Sequence, residues 1–271
     1  MKAINFIDLF CGCGGFTQGF VQAGYNPILG VDMWSDATTT YKHNCPNSEI
    51  LNEDVTKVST SELLTAAKAS IGDVDGIIGG PPCQGFSVSG KRLIDDPRNV
   101  LYKSFVEYVG EIQPKFFVME NVPGLVSMAK GAVKNAVIED FESRGYNVSW
   151  KILAADDYGV PQHRRRVFFV GLNKKFFGEK KFEFPTPFET DKVTCFDAIS
   201  DLDFISDSVA LPDEIAYGLP AQCEYQKLMR IGSEKLWSCG LHPRILLELR
   251  QRSVVVRTWW RPRVLRHTRR K

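Results

Sequence analysis

Short apolar runs alternate with segments of helical spacing along the first two thirds of this chain, and this alternation constrains the fold more than any other feature. The apolar runs have the length of buried strands and end at turn residues. The predicted strands are 4–10, 27–31, 50–51, 74–78, 116–120, 146–153 and 166–172, and the clearest helices are 16–23, 101–112 and 125–143. Strands and helices that alternate in this way predict an α/β fold with a doubly wound, mostly parallel sheet.

A glycine-rich turn, Cys11-Gly12-Cys13-Gly14-Gly15, joins the first predicted strand to the first predicted helix. Such a turn is typical of nucleotide sites, because glycines let the backbone approach the ligand and the helix N-terminus offers N–H groups. Asp32 ends the next strand, where a carboxylate binds a ribose hydroxyl. Thr17 stands where a dinucleotide fingerprint has its third glycine. We therefore predict a ribose-bearing ligand other than NAD, with an ordinary turn as the alternative.

The fourth predicted strand ends abruptly at Gly79-Gly80-Pro81-Pro82, and Cys83 follows. Neither glycine nor proline continues a strand well. Ligands of α/β folds bind at the carboxyl ends of strands, and the prolines restrict the backbone that holds the thiol. Cys83 is therefore predicted to be a reactive thiol, and the alternative is a small buried hydrophobe.

Two more strand ends carry charged side chains. Glu120 ends the fifth predicted strand, while Arg164 and Arg166 alternate along an extended segment that enters the seventh. Taken singly, the carboxylate is equally compatible with a surface ion pair, and the arginines with a solvated or phosphate-binding patch.

Four segments together resemble the motifs of the cytosine-C5 DNA methyltransferase family. They are the cofactor motif at 8–16, the nucleophile motif at 79–87, the base-recognition motif Glu120-Asn121-Val122 and the arginine motif at 162–166. The segments occur in the family's order, and the resemblance runs from about residue 4 to residue 172. It implies a Rossmann-like methyltransferase sheet.

The resemblance also implies a reaction. Carbon 5 of cytosine is a poor nucleophile, so a Cys83 thiolate would add at carbon 6 and leave an enamine able to attack a methylsulfonium. Glu120 would give a proton or a strong hydrogen bond to the ring nitrogen N3. Arg164 and Arg166 would hold the base oxygen and favour the thiolate. Asn121 is expected to order its loop rather than react.

S-adenosylmethionine is the methyl donor that the resemblance implies. Its expected contacts, all at strand ends or in the following turns, are Phe10, Gly12, Gly14, Asp32, Met33, Asp54, Val55 and Pro81. Asp32 would bind the ribose, Met33 would pack on the adenine, and Asp54 with Val55 would meet the adenine edge. A solvated Asp54 is the alternative.

The polar segment after the predicted nucleophile, 87–98, is predicted to be a lid that closes over double-stranded DNA. Gly85 and Gly90 provide hinges, and Ser87, Lys91 and Arg92 are the expected DNA contacts. A plain surface loop is the alternative.

Composition predicts a cytosolic protein, and the resemblance implies the bacterial cytosol, with association with the nucleoid when the protein is on DNA. The seven cysteines among 271 residues form no disulfide framework, which is typical of a reducing compartment. No apolar stretch has the length of a membrane span, and Met1-Lys2 does not open a signal peptide. Cys11 and Cys13, with His43 and Cys45, match no usual zinc spacing, so neither a metal nor a membrane is expected.

Three regions are predicted along the chain. Residues 1–185 form the cofactor-binding and catalytic domain, 186–236 a connector or the start of a target-recognition region, and 237–271 a basic tail. The family's closing motifs are not found. The tail holds nine Arg, one Lys and one acid, whereas residues 1–236 hold 31 acids and 24 bases. Such a tail binds nucleic acid, but the abrupt change from Lys to Arg favours a shifted reading frame.

We therefore predict an enzyme that methylates carbon 5 of cytosine in DNA, as the modification partner of a restriction endonuclease. A truncated, catalytically inactive DNA-binding remnant is one alternative, and an RNA cytosine-C5 methyltransferase is another.

Overall fold

One seven-stranded sheet forms the centre of the molecule. The computed structural model describes residues 3–82, 99–202, 214–230 and 235–237. The strands of the sheet are β1 (Asn5–Leu9), β2 (Asn26–Asp32), β3 (Glu49–Asn52), β4 (Gly76–Gly79), β5 (Phe116–Asn121), β6 (Tyr146–Ala154) and β7 (Arg165–Asn173). Their order is β3-β2-β1-β4-β5-β7-β6, and β7 alone runs antiparallel to its neighbours. The predicted, mostly parallel sheet is confirmed.

Helices lie in the connections between these strands and in the part of the chain that follows β7. They are α1 (Gly15–Gln22), α2 (Ser35–Asn44), α3 (Thr60–Ala66), α4 (Val100–Ile112), α5 (Gly124–Ser127), α6 (Ala132–Glu142), α7 (Lys174–Phe177), α8 (Cys195–Ile199) and α9 (Glu224–Met229). The helix predicted at 125–143 is interrupted at Met128–Gly131, where Ala129 and Lys130 have positive φ angles of 47° and 55°. Left-handed residues do not continue a right-handed helix, so α5 and α6 are separate.

Neighbouring residues of each strand point to opposite faces of the sheet, and helices cover both. Ile77 and Phe117 belong to a core cluster that includes side chains of α3, α4 and α6. Ile78 and Phe116 belong to a second cluster, which includes Phe20 of α1. The sheet is therefore buried on both sides, as a doubly wound fold requires.

Two short strands follow the seven that the sequence analysis predicted. They are β8 (Glu214–Ala216) and β9 (Lys235–Trp237), and they pair with each other in an antiparallel sheet. Nearby, Arg230 forms an ion pair with the buried Asp201 and lies 3.8 Å from the centre of the Tyr217 ring. The region 186–236 thus contains regular structure. Within the described ranges, no helix has the length and hydropathy needed to cross a membrane.

Gly171 of β7 is the point where the sheet and the aromatic core come closest together. It pairs with Phe117 across the β5–β7 ladder, and a Cβ at Gly171 would lie 1.9 Å from an atom of the Phe117 ring. That ring is stacked on Phe141 at 3.9 Å and contacts Tyr146 edge-on, so its room to move is small. Only glycine fits here.

Gly171→Ala is expected to lower the free energy of unfolding by about 1–3 kcal/mol, because the added methyl group overpacks a filled core. Gly72→Ala is the matched control, since a Cβ there meets nothing within 4 Å on an exposed turn. Urea denaturation of both variants measures the difference. Equal stability of the two variants would contradict this account of the core.

Candidate active site

The predicted site residues that the structure describes lie at one edge of the sheet. The parallel strands end at this edge, and the antiparallel strand β7 begins there. The residues are Phe10, Gly12, Gly14, Asp32, Met33, Asp54, Val55, Pro81, Glu120, Arg164 and Arg166. Cys83, Ser87, Lys91 and Arg92 lie outside the described residues, and so does the predicted lid.

Asp32 fixes the conformation of the glycine turn. Its Oδ2 accepts a hydrogen bond from the backbone N–H of Gly12 at 2.9 Å, and its Oδ1 accepts one from Trp34 N–H at 3.0 Å. Gly12 and Gly14 have φ angles of +52° and +86°, which glycine adopts without strain. A Cβ at Gly14 would also approach the ring of Tyr41 to 3.0 Å. The turn therefore requires both these glycines and the carboxylate after β2.

Two large apolar side chains are exposed beside this turn. Met33 is 71% exposed and Trp34 is 64% exposed, whereas residues of this kind are normally buried. Phe10, just before the turn, has an unusual positive φ of 61° and packs partly on the core. The sequence analysis predicted Met33 but not Trp34, although an aromatic residue two positions after Asp32 was a visible signal. Exposed apolar surface next to a carboxylate and a glycine turn fits a nucleoside.

The turn after β3 is built around Asp54. Its Oδ1 accepts hydrogen bonds from the backbone N–H of Thr56 at 3.0 Å and from the Thr56 hydroxyl at 2.8 Å. These bonds hold the pKa of Asp54 below its ordinary value. Asp54 therefore caps the short 3-10 helix Val55–Lys57, and it is not merely solvated. The side chain of Val55 is buried in the core, so only its backbone is left to contact a ligand.

A buried polar network beneath the glycine turn was not predicted. Asp8 and Thr17 are both fully buried, and the Thr17 hydroxyl donates to Asp8 Oδ2 at 2.5 Å. The hydroxyl of Tyr41 lies 3.3 Å from that of Thr17 and 3.2 Å from that of Ser48. The other carboxylate oxygen, Oδ1, finds no hydrogen-bond partner in the described part of the chain. Burial raises the pKa of Asp8 to about 7, against the opposing effect of Thr17.

Two of the four residues considered above as zinc ligands are packed close to this network. Cys11 and Cys45 are buried with Tyr41 in a small cluster. Burial raises the pKa of the Cys11 thiol, and it raises that of Cys45 to about 11. Within the residues that the structure describes, no three His, Cys, Asp or Glu side chains are grouped as a metal site requires.

Glu120 and the two arginines meet where β5 ends and β7 begins. The Arg166 Nε lies 2.9 Å from Glu120 Oε1, and an Arg164 guanidinium nitrogen lies 3.8 Å from the same oxygen. The other oxygen faces Gly80, where a Cβ would lie 3.4 Å away. All three charged side chains remain partly exposed. The carboxylate is thus oriented by its cations and open to a ligand at this edge.

Asn121 connects Glu120 to the segment that carries the predicted nucleophile. Its side chain is buried, and its Nδ2 donates to the carbonyl of Pro81 at 2.9 Å. Its Oδ1 accepts from the N–H of Val122 at 2.8 Å. The backbone two residues before Cys83 is therefore held by the residue next to Glu120.

A second set of charged side chains fixes the segment that carries Arg164. His163 Nδ1 lies 3.0 Å from Asp156 Oδ2, and Lys192 Nζ donates to the same oxygen at 2.8 Å. The hydrogen bond from Lys192 has the larger effect, and together with the His163 contact it lowers the pKa of Asp156 to about 2. Lys192 also pairs with Asp157 at 2.9 Å. The residue before Arg164 is thus tied to the connector that follows β7.

Comparison with known proteins decides the family. The sequence model of the C-5 cytosine-specific DNA methylases matches residues 4–229. The chain belongs to this family. The match extends past residue 172, where the resemblance was expected to end, and it includes α8 and α9.

Relatives of this chain carry names that match the family. The chain is 46% identical over 239 residues to the Type II methyltransferase M.DdeI of Desulfomicrobium norvegicum, covering 85% of this chain and 55% of the relative. It is 44% identical over 200 residues to M1.HphI of Haemophilus parahaemolyticus, covering 73% and 52%. The chain therefore spans about half the length of these relatives.

A solved structure shows the same fold. A prophage-encoded protein of E. coli, assigned as a DNA modification methyltransferase, superposes with a TM-score of 0.69 at 30% identity. The match covers 90% of this chain and 73% of the other.

The buried carboxyl of Asp8 predicts a pH-dependent stability. Since the pKa of Asp8 is about 7 in the fold and lower in the unfolded chain, the folded state binds the extra proton between these values. Stability therefore falls as the pH rises from about 4 to about 7. We expect a loss on the order of 2 kcal/mol between pH 5 and pH 8.

Asp8→Asn keeps an acceptor for Thr17 and removes the titration. The free energy of unfolding of the parent and of Asp8→Asn is measured by urea denaturation at pH 5 and at pH 8. The contribution of Asp8 is the change between these pH values in the parent minus the change in the variant. The same pH dependence in Asp8→Asn would exclude Asp8 as its source.

Proposed function

We propose that this chain transfers a methyl group from S-adenosylmethionine to carbon 5 of cytosine in DNA through a covalent adduct with Cys83. Membership of the family and the names of the two Type II relatives support the reaction. The observation that carries the proposal is the Glu120–Arg166 pair, which lies at the same sheet edge as the glycine turn. Gly80 and Pro81 bring the segment before Cys83 to this pair.

The residues around the glycine turn fit the cofactor. Phe10, Gly12 and Gly14 would contact the cofactor along the turn, and Asp32 would bind the ribose while it holds Gly12. The exposed Met33 supplies apolar surface for the adenine, with Trp34 beside it. The capped Asp54 and the backbone of Val55 would meet the adenine edge, and Pro81 would close the pocket toward the nucleophile. When bound, S-adenosylmethionine supplies an electrophilic methyl group on a sulfonium.

The chemistry at cytosine follows from the other side chains. The Cys83 thiolate forms a bond to carbon 6, and the displaced ring electrons are stabilised when Glu120 gives a proton or a strong hydrogen bond to N3. Arg166 and Arg164 hold the Glu120 carboxylate and would bind the base oxygen. Carbon 5 would then take the methyl group as its bond to the sulfonium breaks, which leaves S-adenosylhomocysteine. Water or a base would remove the carbon 5 proton, and the freed electron pair would expel Cys83 as a thiolate while N3 returns its proton to Glu120.

The partners are part of the same proposal. Double-stranded DNA is the proposed substrate, with Ser87, Lys91 and Arg92 as its contacts. The names of the Type II relatives support a modification enzyme with a cognate restriction endonuclease. Since its substrate would be chromosomal DNA, we propose that the enzyme acts in the bacterial cytosol, on the nucleoid.

Trapping by 5-fluorocytosine tests the proposal, because fluorine at carbon 5 cannot leave as a proton does. The protein is incubated with S-adenosylmethionine and random-sequence duplex DNA that contains the fluorinated base. We expect a covalent adduct that survives denaturing electrophoresis, and no adduct from Cys83→Ser. Cys195→Ser is the matched control, because Cys195 is an exposed thiol on α8, where its Sγ lies 3.4 Å from the carbonyl oxygen of Pro161.

Three results would contradict it. Adduct formation by Cys83→Ser would show that another group is the nucleophile. Trapping only on fluorinated RNA would favour the RNA alternative. DNA binding without trapping by the parent protein would identify an inactive remnant.

The contact between Asn121 and Pro81 yields a further prediction. Asn121→Asp removes the Nδ2 donor and places a carboxylate against the Pro81 carbonyl, so the rate of adduct formation should fall about tenfold or more. Asn173→Asp is the matched control, because its buried Nδ2 also donates to a proline carbonyl, that of Pro114. Its Oδ1 likewise accepts a backbone N–H, from Lys175.

The rate of 5-fluorocytosine trapping and the free energy of unfolding are measured for both variants. Similar losses of stability with a slow rate only in Asn121→Asp are expected, since Asn173 ends β7 at the opposite edge of the sheet. Equal rates would show that the Asn121 contact is merely structural.

A further inference from the structure

The hydroxyl of Tyr108 holds the turn after β3 at both of its ends. Tyr108 lies on α4 and is only 4% exposed. Its hydroxyl donates to the carbonyl of Val55 at 2.9 Å and also lies within hydrogen-bond distance of the Val58 carbonyl. These carbonyls flank the short 3-10 helix Val55–Lys57, so a single proton is shared between its first residue and the residue that follows it.

The same face of α4 makes a second contact with this segment. Thr60, the first residue of α3, donates its hydroxyl proton to the carboxylate of Glu111, three residues after Tyr108. Burial raises the pKa of Tyr108 to about 12, so its hydroxyl remains a donor at neutral pH. The turn and the helix that follows it, α3, are therefore each attached to α4 by a hydroxyl group, the first buried and the second near the surface.

The position of this turn matters because of what it presents to the sheet edge. Asp54 begins the turn and is fixed locally by Thr56. The side chain of Val55 is buried in the core, so only its backbone remains to meet a ligand. A bond to the Val55 carbonyl fixes that backbone directly.

We propose that Tyr108 is a positioning residue for recognition of the cofactor's adenine. It sets the Val55 backbone and the Asp54 carboxylate in the places where they read the adenine edge, without touching the ligand. The inference rests on the proposed function, since it assumes that S-adenosylmethionine binds against the turn after β3. It makes a part of α4 responsible for discrimination between purine bases.

Tyr108→Phe is the direct test, because it keeps the packed ring and removes the donor. Tyr102→Phe is the matched control: Tyr102 lies on the same helix, is 3% exposed, and donates its hydroxyl proton to Asp140 at 2.8 Å. Calorimetry measures the affinity of the full chain and both variants for S-adenosylhomocysteine and for its inosine counterpart, in which an oxygen replaces the 6-amino group. Urea denaturation of each protein reports its stability.

We expect Tyr108→Phe to bind S-adenosylhomocysteine about three- to tenfold more weakly, as the loss of one net hydrogen bond predicts. Its preference for adenine over inosine should shrink by a similar factor. Tyr102→Phe should keep the parent's preference, even if its stability falls by the same amount. A general loss of stability would not change the ratio between the two ligands.

The possible outcomes distinguish a failure of the role proposed for Tyr108 from a failure of the cofactor assignment. If the parent chain binds neither ligand, the cofactor assignment fails, and the role of Tyr108 fails with it. If the parent binds and prefers adenine while Tyr108→Phe behaves like Tyr102→Phe, only the role of Tyr108 is overturned. Should Tyr108→Phe not fold, Thr60→Val removes the second contact near the surface. A preference reduced about twofold would support the inference, and an unchanged one would overturn it.

Discussion

The antiparallel insertion of β7 between β5 and β6 is the constraint on which the candidate site depends. In an all-parallel sheet, the segment that precedes a strand lies at the opposite edge from the residues that end its neighbours. Because β7 runs the other way, Arg164 and Arg166 arrive where β5 delivers Glu120. The register Glu120↔Phe168 places the arginines within reach of one carboxylate oxygen. The charged cluster is therefore a product of strand direction.

Glycines make the close approaches around that cluster possible. Gly79 pairs with Leu9, and a Cβ there would lie 2.3 Å from the Leu9 carbonyl oxygen. Because Gly80 has no side chain, the segment that follows it passes close to the Glu120 carboxylate. Gly171 in the same way leaves room for the ring of Phe117 in the core. The segment that leads to Cys83 thus approaches Glu120 without an intervening side chain. Asn121 then fixes it with a bond to the Pro81 carbonyl.

Much of this arrangement was predictable from local patterns. Apolar runs of strand length gave the seven strands, and residues at their ends gave the edge where the side chains gather. The direction of β7 was not predictable, because the period of a strand is the same in either direction. The break between α5 and α6 was missed because Ala129 and Lys130 are ordinary helix formers. The hydrogen bond between Thr17 and Asp8 was not predicted, although Thr17 stands out in the sequence at the position where a dinucleotide fingerprint has its third glycine.

Three carboxylates near this edge show how environment separates residues of similar chemistry. Asp8 is buried beneath the turn with one hydroxyl partner, and its pKa rises to about 7. Asp32 gives both of its oxygens to backbone N–H groups and so shapes the turn itself. Glu120 is paired with arginines but remains open to a ligand. Burial lets Asp8 support the turn from below, and hydrogen bonds to the backbone let Asp32 fix the shape of the turn. Partial exposure leaves Glu120 accessible to a ligand. Differences in burial and in hydrogen-bond partners therefore give these three carboxylates different properties within one site.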